Sequence, residues 1–222
     1  MRQYKYLIPI TGLFTATLLI SNTLASKIFL LGPFTLSAGI IVFPLAYLFG
    51  DILTEVYGYA ASRKVIWSGF AALALMSLCY AAAVAIPPAP FYENQQGFAA
   101  TLGMVPRICL ASAIAYFCGE FVNSYIVAKM KMAMQGKQMG VRFVVSTMFG
   151  ECVDTIVFYA IAFIGVFGGK ELLMMGVAGW TAKVAWEIIA LPLTLFVVKT
   201  LKKVEHEDYY DTNTNFNPFR VG

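Results

Sequence analysis

The sequence predicts an all-α, polytopic membrane protein of six transmembrane helices. Three observations carry that expectation. First, 59% of the residues are hydrophobic and 13% are charged, with a mean hydropathy of +0.73; a soluble domain carries about 25% charged residues. Second, apolar runs of spanning length alternate with short polar breaks. Third, the positive charges fall on alternate connections.

About 20 apolar residues cross a bilayer, and six runs qualify: roughly 6–31, 36–57, 65–87, 105–128, 142–168 and 176–199. Gly32 and Pro33 break the first two. The stretch GYAASRK (58–64) separates the second and third. The proline-containing PPAPFYENQQG (87–97) opens the loop before the fourth, which Pro106 starts. KMKMAMQGKQMG (129–140) parts the fourth from the fifth, and GGKE (168–171) the fifth from the sixth. Pro192 should kink the sixth span just after Glu187. The expected organisation is one transmembrane domain, 1–201, followed by a polar tail, 202–222, whose composition suggests disorder. A cleavable signal peptide and a separate soluble domain are not expected.

Of the 16 lysines and arginines, 12 fall on one side: Arg2, Lys5, Arg63, Lys64, Lys129, Lys131, Lys137, Arg142, Lys199, Lys202, Lys203 and Arg220. The positive-inside rule then puts both termini in the cytoplasm. The stretches FGDILTE (49–55), FCGEFVNS (117–124) and FGECVDT (149–155) share a Gly-acid-x-x-polar module, the type of internal echo found in transporters.

Ionisable residues in a bilayer cost at least ~2.5–3.5 kcal/mol each, so they face partners or cavities. Glu151 and Asp154 stand one helical turn apart near the middle of span five. Lys183 and Glu187 share a face of span six, as Glu120 and Asn123 do on span four. Asp51 and Glu55 lie toward the cytoplasmic end of span two, and Asn22 and Ser26 share a face of span one. Trp186 is deep enough to stack on a flat solute, whereas Trp180, at a helix start, fits the interfacial belt.

No catalytic machinery accompanies these groups. The single histidine, His206, is in the tail, so neither a Ser–His dyad nor a histidine metal centre is available in the spans. Cys79, Cys109, Cys118 and Cys152 show no CxxC spacing. No ATP-binding P-loop is present. A small-solute carrier, without cofactor or metal, or a membrane-embedded binding subunit remains.

Five stretches carry a more specific likeness: SNTLASKIF (21–29), GDILTEVYGY (50–59), RKVIWSGF (63–70), FGECVDTIVFYAIAF (149–163) and KVAWEIIALPL (183–193). In order and spacing they resemble the queuosine-precursor transporter, or vitamin-uptake-transporter, family. The resemblance implies six helices, like the substrate-binding subunits of energy-coupling-factor transporters. It also implies import of 7-deazaguanines (preQ0, preQ1 or queuine) for tRNA modification, without direct contact to nucleic acid. It assigns binding roles to Asn22, Asp51, Asp154, Thr155 and Lys183. The expected site adds Glu120, Asn123, Glu151, Trp186 and Glu187: carboxylates accept from a guanine-like edge, Lys183 donates to its carbonyl or balances the acids, and aromatic rings stack on the base. The alternative is a binding subunit of an ATP-driven vitamin or nucleobase uptake complex. Small-residue faces also allow a homodimer.

Overall fold

The computed structural model describes residues 4–32, 34–163 and 168–219; Arg2, Pro33 and Arg220, used in the reading above, lie outside them. α1 (Leu7–Leu24) leads into an antiparallel hairpin, β1 (Ile28–Leu31) and β2 (Phe34–Ser37), and a 3-10 turn at Ala38–Ile41. The helices α2 (Pro44–Tyr57), α3 (Tyr59–Ala85), α4 (Gln95–Leu102), α5 (Val105–Ala133), α6 (Met139–Phe163) and α7 (Gly169–Glu205) follow. Among the described residues, five helical segments have the length and apolarity to cross a membrane, beginning at Leu7, Tyr59, Gln95, Met139 and Gly169.

The first expected span ends early. Thr23 Oγ1 bonds the Leu19 carbonyl and Ser26 Oγ that of Thr23, the local bonding that lets such residues close a helix. Gly32, at φ +58°, then turns the hairpin, and β1 pairs with β2 from Ile28↔Ser37 inward.

The second expected span is likewise not one long helix. α2 has 14 residues, about 21 Å at 1.5 Å each, against a hydrocarbon core of about 30 Å. All but Leu45 and Phe49 are buried, which makes α2 the central post of the bundle, with α1, α3, α5 and α7 packed on it. Gly58 alone joins it to α3, at φ +85°, and the Tyr209 ring occupies the space a side chain there would need.

The echoed glycines explain the close helix packing. A methyl on Gly119 of α5 would lie 2.7 Å from the Gly150 carbonyl of α6, and one on Gly150 would lie 2.8 Å from Asn123 Cβ. One on Gly50 of α2 would strike the Glu120 carboxylate. The modules thus meet where α2, α5 and α6 approach most tightly. α7 runs unbroken through Pro192, whose missing N–H leaves the Ile188 carbonyl without its helical donor. Trp180, expected in an interfacial belt, donates to the Met148 carbonyl of α6 at 3.1 Å.

At the end of the bundle where both chain ends lie, buried charges form a network. Glu55 Oε1 pairs with Arg142 at 2.7 Å, Lys202 at 2.5 Å and Lys131 at 3.7 Å. Glu205 accepts the backbone N–H groups of Lys5 and Tyr6 at 3.0 and 2.6 Å, a carboxylate at the amino end of α1.

The tail, expected to be disordered, packs across this end. Asp211 accepts the N–H of Tyr59, Arg63 donates to the carbonyls of Asn215 and Asn217, and Trp67 donates to that of Pro218. Asp208 bonds Lys131 at 2.6 Å and Lys202 at 2.8 Å. Partial burial pushes its carboxyl up, but these two lysines outweigh that and hold it below the ordinary value. Its contribution is therefore complete above the usual carboxylate range and is lost as acid protonates it.

Gly150→Val should force α5 and α6 apart and destabilise the fold by ~1–3 kcal/mol. The check is a lower unfolding midpoint in detergent, with Gly12→Ala, where a methyl meets nothing within 4 Å, as the control.

Candidate functional site

Opposite the charged end, α1, the hairpin, α6 and α7 enclose a cavity with about 80 Å³ of water-accessible space. The last turn of α1 supplies Ser21 and Asn22. The short entry to α2 supplies Gly39 and Phe43. α6 contributes Asp154, Thr155, Phe158 and Tyr159, and α7 contributes Gly179 and Lys183.

Lys183 is the electrostatic centre. Its Nζ lies 2.6 Å from Asp154 Oδ2, 2.8 Å from Glu151 Oε2 and 4.3 Å from the centre of the Phe43 ring. The Asp154 contact is a hydrogen bond. That to Glu151 is an ion contact at an angle outside hydrogen-bond geometry, since Glu151 Oε2 has no hydrogen-bond partner. Lys183 therefore turns to α6 and not to Glu187, its own neighbour one turn along.

Two wall residues have unused polar atoms. Asn22 Nδ2 bonds the Leu18 carbonyl at 2.9 Å, but its Oδ1 has no partner. Thr155 Oγ1 is also unpartnered and buried. A buried polar atom left unbonded costs about 1–3 kcal/mol, so a solute that bonds both recovers that cost.

Four expected residues thus meet on the wall: Asn22, Asp154, Thr155 and Lys183. Glu151 lies behind it, on Lys183. Asp51, Glu120, Asn123 and Glu187 are buried but do not line the cavity. They form a second polar layer: Asn123 Nδ2 bonds Asp51 Oδ1 at 2.8 Å, and Ser124 Oγ bonds Glu120 Oε1 at 3.1 Å. Trp186, expected to stack on the solute, is half-buried against the core and absent from the wall. The aromatic side chains on the wall are those of Phe43, Phe158 and Tyr159, which the sequence reading did not single out. A signal existed for two of them: Phe158 and Tyr159 follow Asp154 and Thr155 by four residues, hence on the same helix face.

Comparison with known proteins agrees with this architecture. Residues 37–197 match the family described as "Putative vitamin uptake transporter". The chain belongs to that family. It is 25% identical over 172 residues to the "Probable queuosine precursor transporter" of Bacillus subtilis (strain 168), covering 77% of this chain and 75% of that one. It is 27% identical over 129 residues to the "Queuosine precursor transporter" of Escherichia coli (strain K12), covering 56% of this chain and 54% of that one. No solved structure matches. The family is the one that the five sequence stretches indicated, and the chain is a multi-pass membrane transporter.

Lys183→Gln should leave two buried carboxylates without their cation, a loss of ~3–5 kcal/mol. Adding Asp154→Asn to that variant should recover part of the unfolding midpoint. Additive losses in the double variant would contradict the ion triad.

Proposed function

We propose that this chain imports 7-deazaguanine precursors of queuosine across a bacterial cytoplasmic membrane, with both termini inside. The observation that carries this reading is the Lys183–Asp154 pair in the cavity wall beside the unpartnered Asn22 Oδ1 and Thr155 Oγ1. A guanine-like base has a matching edge. Its ring N–H and exocyclic amine are donors for Asp154 and Asn22, and its carbonyl is an acceptor for Lys183. Phe43, Phe158 and Tyr159 offer faces for a flat ring, whose stacking on aromatic groups is worth about 1–3 kcal/mol per base. The cavity, with about 80 Å³ of water-accessible space, is of the scale of one bicyclic base.

Direction follows from the same arrangement. The cavity sits at the hairpin end, while the Glu55 network and the packed tail close the opposite end. This is an outward-facing carrier with its inner gate shut, moving its substrate unchanged. Import then requires the ion contacts around Glu55 to open as the hairpin end closes.

The test is uptake in a bacterial host that neither synthesises nor imports queuosine precursors and has no energy-coupling complex. preQ0, preQ1 and queuine are supplied separately at low concentration, and queuosine is measured in tRNA. Restoration by at least one of them is expected. Its absence, with the protein verified in the membrane, would overturn the reading in favour of another solute or an obligatory ATP-driven partner. Asp154→Asn should weaken binding of the transported base by ~10–100-fold, the worth of a hydrogen bond to a charged group. Calorimetry on purified protein that gave an unchanged affinity would remove Asp154 from the site.

A further inference from the structure

Five buried carboxyl groups, from Asp51, Glu120, Glu151, Asp154 and Glu187, stand together against one cation, Lys183. The other cations of this region are committed elsewhere: the buried Arg142 and Lys131 and the partly exposed Lys202 hold Glu55, and Arg63 holds the tail. Five ionised carboxylates would leave about four net negative charges inside a bilayer, each costing at least ~2.5–3.5 kcal/mol. Protonation of some of these carboxyls removes charge without any further ligand.

The geometry shows where a proton fits. Asp51 on α2 and Glu187 on α7 are 0% and 2% exposed, and the two carboxyls lie within hydrogen-bonding reach. Yet neither oxygen of Glu187 receives a hydrogen bond, and Asp51 Oδ2 has none either. Two carboxylates cannot bond each other without a hydrogen between them. One shared proton supplies the missing donor and removes one of the two charges.

The surroundings reinforce this. α5 presents Glu120 and the neutral Asn123 to Asp51, while α2 itself adds Glu55 one turn away. Toward Glu187, α6 presents Glu151, already on Lys183. α1 contributes only neutral groups such as Asn22, and α3 only the engaged Arg63. Lys183 precedes Glu187 by one turn, so any solute that draws Lys183 from its carboxylates alters the charge balance that the pair feels.

We propose that Asp51 and Glu187 are a proton-carrying pair, one layer below the cavity, that couples import to the proton gradient. This rests on the transport reading for its second half only. With the pair protonated, α2 and α7 are bonded across the bundle centre and the outward form is complete. Loss of that proton toward the cytoplasm returns repulsion between the two helices and resets the cycle. The proton enters from outside and leaves inside, one per cycle, with no other bond made or broken.

Two measurements on the full-length protein decide the matter. The first uses no substrate: infrared difference spectra of the reconstituted protein between alkaline and acid buffers. A protonated-carboxyl stretch should change with pH and be removed or shifted by Asp51→Asn and by Glu187→Gln, each checked for a normal elution profile. A spectrum that neither variant alters overturns the pair. The second uses proteoliposomes and a 7-deazaguanine base. An acid-outside gradient should drive about tenfold accumulation per pH unit for one proton. Glu187→Gln should abolish that accumulation but continue to exchange labelled base for unlabelled. Wild-type protein that exchanges base but accumulates none under the gradient would overturn the coupling and leave the substrate reading intact. Failure to bind or exchange any of the bases would overturn the substrate reading, and the infrared result would still decide the proton pair.

Discussion

Lys183 reaches from α7 into the space between Glu151 and Asp154, and much of the molecule is arranged so that it can. A lysine at this depth is tolerable only with carboxylates in contact, and carboxylates one turn apart are tolerable only with a cation between them. Each side thus makes the other affordable in hydrocarbon. The tie also fixes α7 to α6 and sets the wall of the cavity. Because one lysine offsets one carboxylate charge only, the acids of the second layer have no cation of their own, and the proposed proton pair lies among them.

α2 supplies the other constraint. Apart from the edge formed by Leu45 and Phe49, α2 is buried, so its polar residues can be read as internal. Asp51 and Glu55 occupy successive turns of it, and their environments differ sharply: three cations on Glu55, none on Asp51. The same helix thereby holds a locked ionic end and an uncompensated centre. The glycines beside its neighbours, Gly119 and Gly150, permit α5 and α6 the close approach that encloses it.

Much of this was legible in the sequence, for stated reasons. Spans three to six follow from apolar length, Pro106 starts α5 as expected, and the depth of Glu151 and Asp154 marked them as internal. The hairpin was not legible, because Ile28–Leu31 continues the apolar run of α1 and hydrophobicity alone does not separate a short buried strand from helix. The tail misled by composition. Its Asn, Asp and Thr residues look solvated, but Asp211 and the carbonyls of Asn215, Asn217 and Pro218 are consumed by Tyr59, Arg63 and Trp67. Trp186 is one turn from Lys183 yet packs on the core and does not line the cavity, a distinction that depth in the sequence does not carry. The acids divided into wall and second layer only in three dimensions, because that division depends on which helices they face.

The junction at Gly58 has a mechanical meaning. α2 and α3 meet there with no intervening loop, and the Tyr209 ring fills the notch beside the glycine. The central post, the 27-residue α3 and the tail thus converge on one glycine, where a side chain would displace the Tyr209 ring and disturb all three together.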